Sequence, residues 1–179
     1  MSLALVERVR NGPPKYVTVD ADNVGFSERY AAGDHLEHRR AKTGHNSLHA
    51  AVALKGGNIV QDFGASEELR EPNYLTMQTG PNSHIILEPA YLQNINHSCA
   101  PNTFWNTTTM QFEALQDVAP GAELTFFYPS TEWDMETPFD CCCGAAGCLG
   151  RIAGAKHLSD EQFARYRFNQ HILSARAAA

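Results

Sequence analysis

The sequence lacks most of the features that mark membrane, secreted or repetitive proteins. None of its 179 positions belongs to a run of about 18 apolar residues, so it contains no candidate membrane span. The first 14 residues include Glu7, Arg8 and Arg10 and have no long apolar stretch, so we expect no secretory signal and an intracellular protein, whether cytoplasmic or nuclear. Internal repeats and low-complexity segments are absent too. What is left is an ordinary globular composition, with 43% hydrophobic and 19% charged residues.

An excess of positive charge is also missing. Lys and Arg number 14 and Asp and Glu number 20, which gives a formal net charge of −6. Proteins that bind phosphate backbones carry clustered Lys and Arg, so we expect no direct binding of nucleic acid. Negative charge is compatible with a basic peptide as a partner, and it also favours solubility without any partner.

Cysteine is scarce, but its placement is informative. Four of the five cysteines lie between Cys141 and Cys148, and the fifth is Cys99. In an intracellular chain such clustering favours a metal over disulfides. The loop has the spacing C-x-C-x4-C, and structural zinc sites prefer four thiolates in a tetrahedron. We therefore predict a structural zinc ion bound by Cys99, Cys141, Cys143 and Cys148.

Cys142 lies inside the same cluster and could compete as a ligand. Because it sits between Cys141 and Cys143, its side chain should point away from theirs. The alternative is a set of reduced thiols without a metal. A catalytic zinc is not expected, since four thiolates leave no coordination position for water.

Short apolar stretches separated by turn residues predict a β-rich domain with little helix. We expect strands at residues 15–20, 48–54, 58–63, 74–78, 84–87, 109–115 and 123–128. The last four are expected to form two pairs, around the turns at 80–82 and 118–121. One C-terminal helix is expected, because Ser159 and Gln162 form a capping-box pattern and apolar residues continue to Leu173.

Three segments carry side chains suited to chemistry: residues 96–102 (NHSCAPN), residues 123–128 (ELTFFY) and the cysteine loop. In this order and spacing they resemble the SET-domain family of protein lysine methyltransferases. The first matches the family's NHSCxPN signature, the second is similar to its ELTFDY segment, and the third matches its post-SET CxCxxxxC motif. The resemblance covers residues 41–150, and no pre-SET cysteine cluster is present.

The resemblance implies a mainly β (α+β) fold of small curved sheets around a pseudoknot, in which the first two segments pass each other. It divides the chain into a SET domain with an N-terminal extension (1–138), a post-SET zinc-binding loop (139–155) and a C-terminal helix (156–179). It also implies S-adenosylmethionine as cofactor and a lysine-bearing protein or peptide as substrate, with no membrane partner.

Five residues are candidates for contact with the cofactor by resemblance. Asn96 and His97 would contact it through main-chain groups, and the zinc loop would close over it. His45, Asn46 and Ser47 occupy the loop where the family usually carries G-x-G. Neither glycine is kept there, and Ser47 brings a Cβ where the backbone usually approaches the cofactor closely.

Two aromatic residues are candidates for the reaction site by resemblance, and two more by residue type. Tyr128 occupies the catalytic tyrosine position, and Phe126 the position that tunes how many methyl groups are added. A phenyl ring there leaves room for an amine that is already methylated, which favours di- or trimethylation. Tyr91 and Trp105 are further candidates for lining the substrate channel, although packing in the core explains both as well.

Three functional hypotheses follow. The first is methyl transfer to a lysine of a histone or another protein. The second keeps the fold and the cofactor but takes a small-molecule amine as acceptor. The third is a catalytically silent SET-like binding module, in which the altered loop at 45–47 no longer holds the cofactor.

Overall fold

Five small β-sheets form the framework of residues 26–179, the part of the chain that this computed structural model describes. The strand predicted at residues 15–20 lies outside the described residues. The architecture confirms the expected fold class of small sheets with few helices. The domain boundaries inferred from sequence remain a prediction.

The strands are numbered in chain order: β1 Phe26–Ala32, β2 Leu36–Ala41, β3 Asn46–Ala50, β4 Ile59–Asp62, β5 Gly64–Leu69, β6 Thr76–Gly80, β7 Ser83–Glu88, β8 Asn96–His97, β9 Thr103–Asn106, β10 Gln111–Ala114, β11 Thr125–Phe126, β12 Phe139–Asp140 and β13 Arg151–Ile152. The α-helices are α1 Asp160–Phe163 and α2 Gln170–Ala177. Short 3-10 helices span Ala90–Asn94, Tyr128–Ser130 and Ala155–His157.

One strand pair joins the two signature segments. The three-stranded sheets have the orders β1-β2-β3, β4-β10-β9 and β5-β7-β6, and all of their pairings are antiparallel. The pair β8–β11 is parallel instead, with Thr125 opposite Asn96 and Phe126 opposite His97. The segments at 96–102 and 123–128 therefore pass each other side by side, as expected for the pseudoknot.

The hydrophobic core has two parts. The larger is centred on Trp105 and Phe112, which are fully buried with ring centroids 4.5 Å apart. Trp105 also meets the edge of Phe63 at 4.8 Å. The smaller part joins Phe127 of the signature segment to Ile172 of α2. Removing one of these large buried side chains should cost about 3–5 kcal/mol, so both parts hold the signature strands in place.

The predicted pairing of residues 109–115 with 123–128 is wrong. Strand β10 pairs with β4 and β9, and β11 pairs with β8. The cause lies in the connection between β10 and β11, which is not a tight hairpin. Val118 exchanges two backbone hydrogen bonds of 2.9 Å with Leu54, and the Gly121 N–H donates to the Ala50 carbonyl at 2.7 Å. These bonds hold the segment between β10 and β11 against residues 50–54.

The predicted C-terminal helix begins where expected but is interrupted. Ser159 and Gln162 form the predicted capping box, with hydrogen bonds of 3.1 Å and 2.9 Å. Helix α1 nevertheless ends at Phe163, and α2 begins only at Gln170. Of the helices in residues 26–179, none has the length and apolar character needed to span a membrane.

Asn169 explains the interruption. This residue is buried, and its amide nitrogen donates to the carbonyl oxygens of Trp105 at 2.8 Å and Ser130 at 3.0 Å. Its amide oxygen accepts from the Thr107 N–H at 2.9 Å. A buried amide that lost these partners would remain unsatisfied, so the tertiary contacts outweigh helix propensity here.

Gly154 should be intolerant of any side chain. Its φ is +110°, and a Cβ would lie 2.5 Å from the Trp133 carbonyl oxygen. We expect Gly154→Ala to lower the free energy of unfolding by about 3 kcal/mol or more, because backbone strain adds to the clash. Gly57 is the control, because its φ is +84° but a Cβ added there would have no other residue's atom within 4 Å beyond its chain neighbours. Gly57→Ala should cost about 1–2 kcal/mol. Equal losses in denaturant unfolding would contradict a role for the Trp133 contact.

Candidate active site and metal centre

Four cysteines from distant parts of the chain meet at one point. The sulfur atoms of Cys99, Cys141, Cys143 and Cys148 all lie within 4.8 Å of one another, and Cys99 Sγ is 4.0 Å from those of Cys141 and Cys148. A tetrahedral zinc ion with bonds of about 2.3 Å needs sulfur atoms about 3.8 Å apart, so the group fits zinc closely. Cys142 is exposed and does not belong to the group, as expected.

Backbone hydrogen bonds shape the cysteine loop. Strands β12 and β13 form a small antiparallel pair, and the Cys141 N–H donates to the Gly150 carbonyl at 2.6 Å. The Leu149 N–H points at Cys99 Sγ, at 3.4 Å. Burial raises the pKa of the Cys99 thiol to about 11, whereas at Cys143 burial is outweighed by hydrogen bonds that lower the pKa to about 6. A bound cation would hold Cys99 as a thiolate at neutral pH. The donor set therefore suits a metal ion.

The C-terminal segment packs against this cluster. The Tyr166 hydroxyl donates to the Cys99 carbonyl at 3.0 Å, and its ring stacks on Phe127 with centroids 3.7 Å apart. Arg165 donates to the Gly147 carbonyl at 3.2 Å. These contacts were not foreseen, because the aromatic residues after Ser159 were interpreted only as an apolar helix face.

A pocket of about 320 Å³ adjoins Tyr128. Its aromatic lining consists of Tyr74, Trp105, Phe126, Tyr128 and Phe139. The rings of Phe126 and Tyr128 lie 4.6 Å apart, and the Tyr128 ring meets that of Phe139 at 5.9 Å. Such walls suit a slim apolar chain that ends in a cation or an amine.

Tyr128 is held at both ends. Its N–H donates to Nδ1 of His97 at 3.2 Å, and its hydroxyl donates to the Ile95 carbonyl at 3.2 Å. Burial, with smaller contributions from the charges of Glu123 and Glu132, raises the pKa of Tyr128 to about 12. The hydroxyl therefore stays neutral at physiological pH and acts as a hydrogen-bonding group rather than a base.

The pocket contains two of the three predicted channel residues. Phe126 is half-buried, and Trp105, which is fully buried, meets its ring at 5.9 Å. Tyr91 is not in the pocket lining; its hydroxyl donates to Gln61 at 2.9 Å and lies beside Gly33. The structure thus supports the packing interpretation for Tyr91.

Four of the five candidate cofactor residues lie together. The Asn96 amide nitrogen is 3.0 Å from the Asn46 carbonyl oxygen, 2.8 Å from a Glu123 carboxylate oxygen and 3.1 Å from Nε2 of His45. His97 follows Asn96 in β8. His45 and Glu123 are exposed, so the group offers accessible hydrogen-bond acceptors. Glu123 was not proposed from sequence, although it opens the ELTFFY segment.

Ser47 lies apart from this group. Its side chain is buried, and its hydroxyl is 2.9 Å from Nε2 of His49. Nδ1 of the same histidine is 3.0 Å from the Gly121 carbonyl oxygen. The side chain of Ser47 thus serves the interior of the sheet, and its main chain lies opposite Arg39 in the β2–β3 pair.

His97 connects the two sites. Nδ1 accepts the Tyr128 N–H, which places the imidazole proton on Nε2, and Nε2 lies 3.4 Å from Cys99 Sγ. Burial lowers the pKa of His97 to about 4, so the ring is neutral. The metal cluster and the pocket tyrosine are therefore linked through one side chain.

The sequence profile of the SET domain matches residues 20–129. Methyltransferase flvH of Aspergillus flavus is 38% identical over 128 residues, which cover 70% of this chain and 71% of that protein. The chain belongs to the SET-domain family of methyltransferases. The H3 lysine-4-specific histone-lysine N-methyltransferase of Emericella nidulans is 38% identical over 154 residues. That match covers 73% of this SET-domain chain but 13% of the relative.

A solved structure shows the same fold. The crystal structure of KRYPTONITE in complex with mCHH DNA, an H3(1-15) peptide and SAH superimposes with a TM-score of 0.52 at 21% identity. The match covers 65% of this SET-domain chain and 29% of KRYPTONITE. At this identity the likeness supports the shared fold.

Removing one ligand should remove the metal. We expect about one zinc ion per chain by elemental analysis, because four thiolates complete a structural site. Cys99→Ser should lose most of the zinc and lower the melting temperature. Cys142→Ser removes an exposed thiol outside the cluster and should retain the metal. Equal zinc content in the two variants would contradict this assignment.

Proposed function

We propose that this SET-domain methyltransferase transfers methyl groups from S-adenosylmethionine to the side-chain amine of a protein lysine. The observation that carries the proposal is the aromatic pocket at Tyr128, which lies where the two signature segments cross. The name of the Emericella relative, which specifies histone H3 lysine 4, supports this acceptor. The H3 peptide and SAH in the KRYPTONITE complex support it as well.

Bound S-adenosylmethionine would supply a methyl group on a sulfonium sulfur for direct displacement by the amine. The amine must be neutral to react, although a free lysine has a pKa of about 10.4. The aromatic lining disfavours the charged ammonium and so assists deprotonation. Its walls also align the side chain, and positioning of this kind can lower a barrier by about 7 kcal/mol.

We assign Tyr128 the catalytic role and Phe126 the role of shaping the space around the amine. The Tyr128 hydroxyl is neutral and fixed against the Ile95 carbonyl, so it can orient the polarised methyl group without taking a proton. Phe126 presents no hydroxyl to bind a water beside the amine. This absence leaves space for a methylated nitrogen and favours di- or trimethylation.

We assign cofactor contact to His45, Asn46, Asn96 and His97, and contact by Ser47 stays a prediction from the resemblance. The acceptors beside Asn96, namely the half-buried Asn46 carbonyl and the exposed Glu123 carboxylate, suit a ligand with ammonium and hydroxyl groups. One structural zinc ion bound by the four cysteines completes the assignment. We also propose an intracellular site of action, which agrees with unpaired thiols.

A small-molecule amine is the second candidate acceptor. Methyltransferase flvH matches this chain along 71% of its own length, and its name specifies no protein substrate. Both acceptors present the same group to the pocket. The expectation that nucleic acid is not bound directly stays a prediction from net charge.

Transfer of a labelled methyl group tests the proposal. We expect label from S-adenosylmethionine to enter a lysine-containing histone H3 peptide and to be absent when the lysine is replaced by arginine. Label in small primary amines but in no peptide or protein lysate would favour the second candidate. No transfer to either class, with normal zinc content and folding, would contradict both.

Tyr128→Phe should lower the rate of methyl transfer by about 100-fold, because loss of the hydroxyl disturbs alignment in the pocket. Cofactor binding by calorimetry and the melting temperature should change little. Tyr91→Phe removes a hydroxyl that bonds Gln61 outside the pocket, so its transfer rate should match that of the unmodified protein. A similar loss of transfer rate in both variants would indicate that Tyr91 lines the substrate channel.

A further inference from the structure

Glu132 places a carboxyl group in the wall of the aromatic pocket. It lies four residues after Tyr128, and its N–H donates to the Tyr128 carbonyl at 3.0 Å. Its charge reaches the reaction site, since it is one cause of the raised pKa of Tyr128. None of the three signature segments contains this residue, so no motif pointed to it.

Two hydrogen bonds fix one oxygen of this carboxyl group. Oε1 accepts from the Gln78 N–H at 2.8 Å and from the Thr131 hydroxyl at 3.2 Å. Gln78 in turn accepts from the Trp133 N–H at 2.9 Å, so β6 and the segment after Tyr128 bind each other reciprocally. The carboxyl group is therefore placed by a backbone N–H of β6 and by the neighbouring Thr131 hydroxyl.

The other oxygen is available. No donor within residues 26–179 bonds Oε2 of Glu132, and the side chain is half-buried and belongs to the pocket lining. Burial, opposed by the bonds from Gln78 and Thr131, raises the pKa of Glu132 to about 7. A carboxylate in such a place lacks the counter-charge that buried ions normally require.

We propose that Glu132 binds the ammonium group of the incoming amine and accepts its proton before methyl transfer. This inference rests on the proposed function, because it takes an alkyl amine as the acceptor. The ligand class is a primary or methylated alkylammonium on a slim chain. The aromatic lining suits the alkyl part of such a ligand, and Glu132 supplies a charge opposite to that of the ammonium.

Proton transfer to Glu132 prepares the amine for methyl transfer. The ammonium gives one proton to Oε2 of Glu132, which leaves a lone pair on nitrogen. That lone pair forms the new carbon–nitrogen bond while the carbon–sulfur bond breaks and its electron pair stays on sulfur. The product leaves as a methylated ammonium, and Glu132 returns its proton to solvent.

Other charged or titratable groups surround this site. Glu136 lines the same pocket, and Glu123 acts on Tyr128. His171 of α2 is 2.8 Å from the Thr131 carbonyl oxygen, and His84 of β7 pairs with Gln78. Burial lowers the pKa of both histidines, so each loses its positive charge at a lower pH than a free imidazole. The pKa of Glu132 is instead raised to about 7 by burial.

Binding of n-butylammonium and 1-butanol, followed by NMR titration at pH 8 without cofactor, tests the proposal. The unmodified protein should prefer n-butylammonium. Glu132→Gln keeps the oxygen that accepts from Gln78 and Thr131 but removes the charge, so it should weaken n-butylammonium binding about tenfold and leave 1-butanol binding unchanged. Glu161→Gln, at an exposed position of α1, makes the same change in net charge and should alter neither.

Equal affinities of the unmodified protein for the two probes, or equal n-butylammonium affinities with and without Glu132→Gln, would overturn the proposal. If that variant fails to fold, the unmodified protein still decides. Its affinity for n-butylammonium should be weak below pH 7, where Glu132 is protonated, and should rise through about pH 7 towards the pKa of the amine, whereas that for 1-butanol should stay flat. A flat n-butylammonium profile would overturn the inference.

The probes contain no cofactor, so the two proposals fail separately. A Glu132-dependent preference for n-butylammonium without methyl transfer to any amine would support the cation site and contradict the methyltransferase proposal. Methyl transfer to lysine with no effect of Glu132→Gln on n-butylammonium binding would do the reverse.

Discussion

The parallel pairing of β8 with β11 is the constraint on which both sites depend. Two residues on each side are enough to fix the crossing of segments that are far apart in the chain. Cys99 follows one strand by two residues, and Tyr128 follows the other by two. Because the strands lie side by side, Cys99 and Tyr128 have fixed positions relative to each other. The loops add the remaining residues of the metal cluster and of the pocket.

His97 also connects the two sites through the contacts of its two ring nitrogens. One ring nitrogen accepts from the backbone of Tyr128, and the other faces the sulfur of Cys99. A zinc ion that held Cys99 would therefore restrain the imidazole and, through it, the start of the turn that carries Tyr128. Tyr166 adds a second restraint, since it bonds the Cys99 carbonyl and stacks on Phe127. Metal binding and the shape of the pocket are thus coupled over a short path.

The sequence was informative where the chemistry is local and misleading where it is not. Cysteine spacing identified the four sulfur atoms that meet and excluded Cys142, because ligand geometry depends on few residues. The pairing of 109–115 with 123–128 failed since Val118 bonds Leu54, a contact that no turn motif encodes. The interruption of the last helix depends on Asn169, whose partners lie in β9 and in the 3-10 helix that begins at Tyr128. Tyr91 and Glu132 show the same limit within the site, where residue type alone could not tell which side chain faces the pocket.

The choice between a protein lysine and a small amine must be made at the rim of the pocket. Inside the pocket, the aromatic walls and the carboxyl group of Glu132 present the same chemistry to any alkylammonium. The depth and the charge of the pocket therefore do not discriminate between the two acceptors. The rim differs, because Tyr74 and Leu75 are exposed there, at 83% and 40%. A peptide backbone would cover these side chains and gain from their burial, whereas a small amine would leave them in water. Substitutions at the rim should therefore weaken a peptide acceptor and spare a small one, and this difference assigns specificity to the rim.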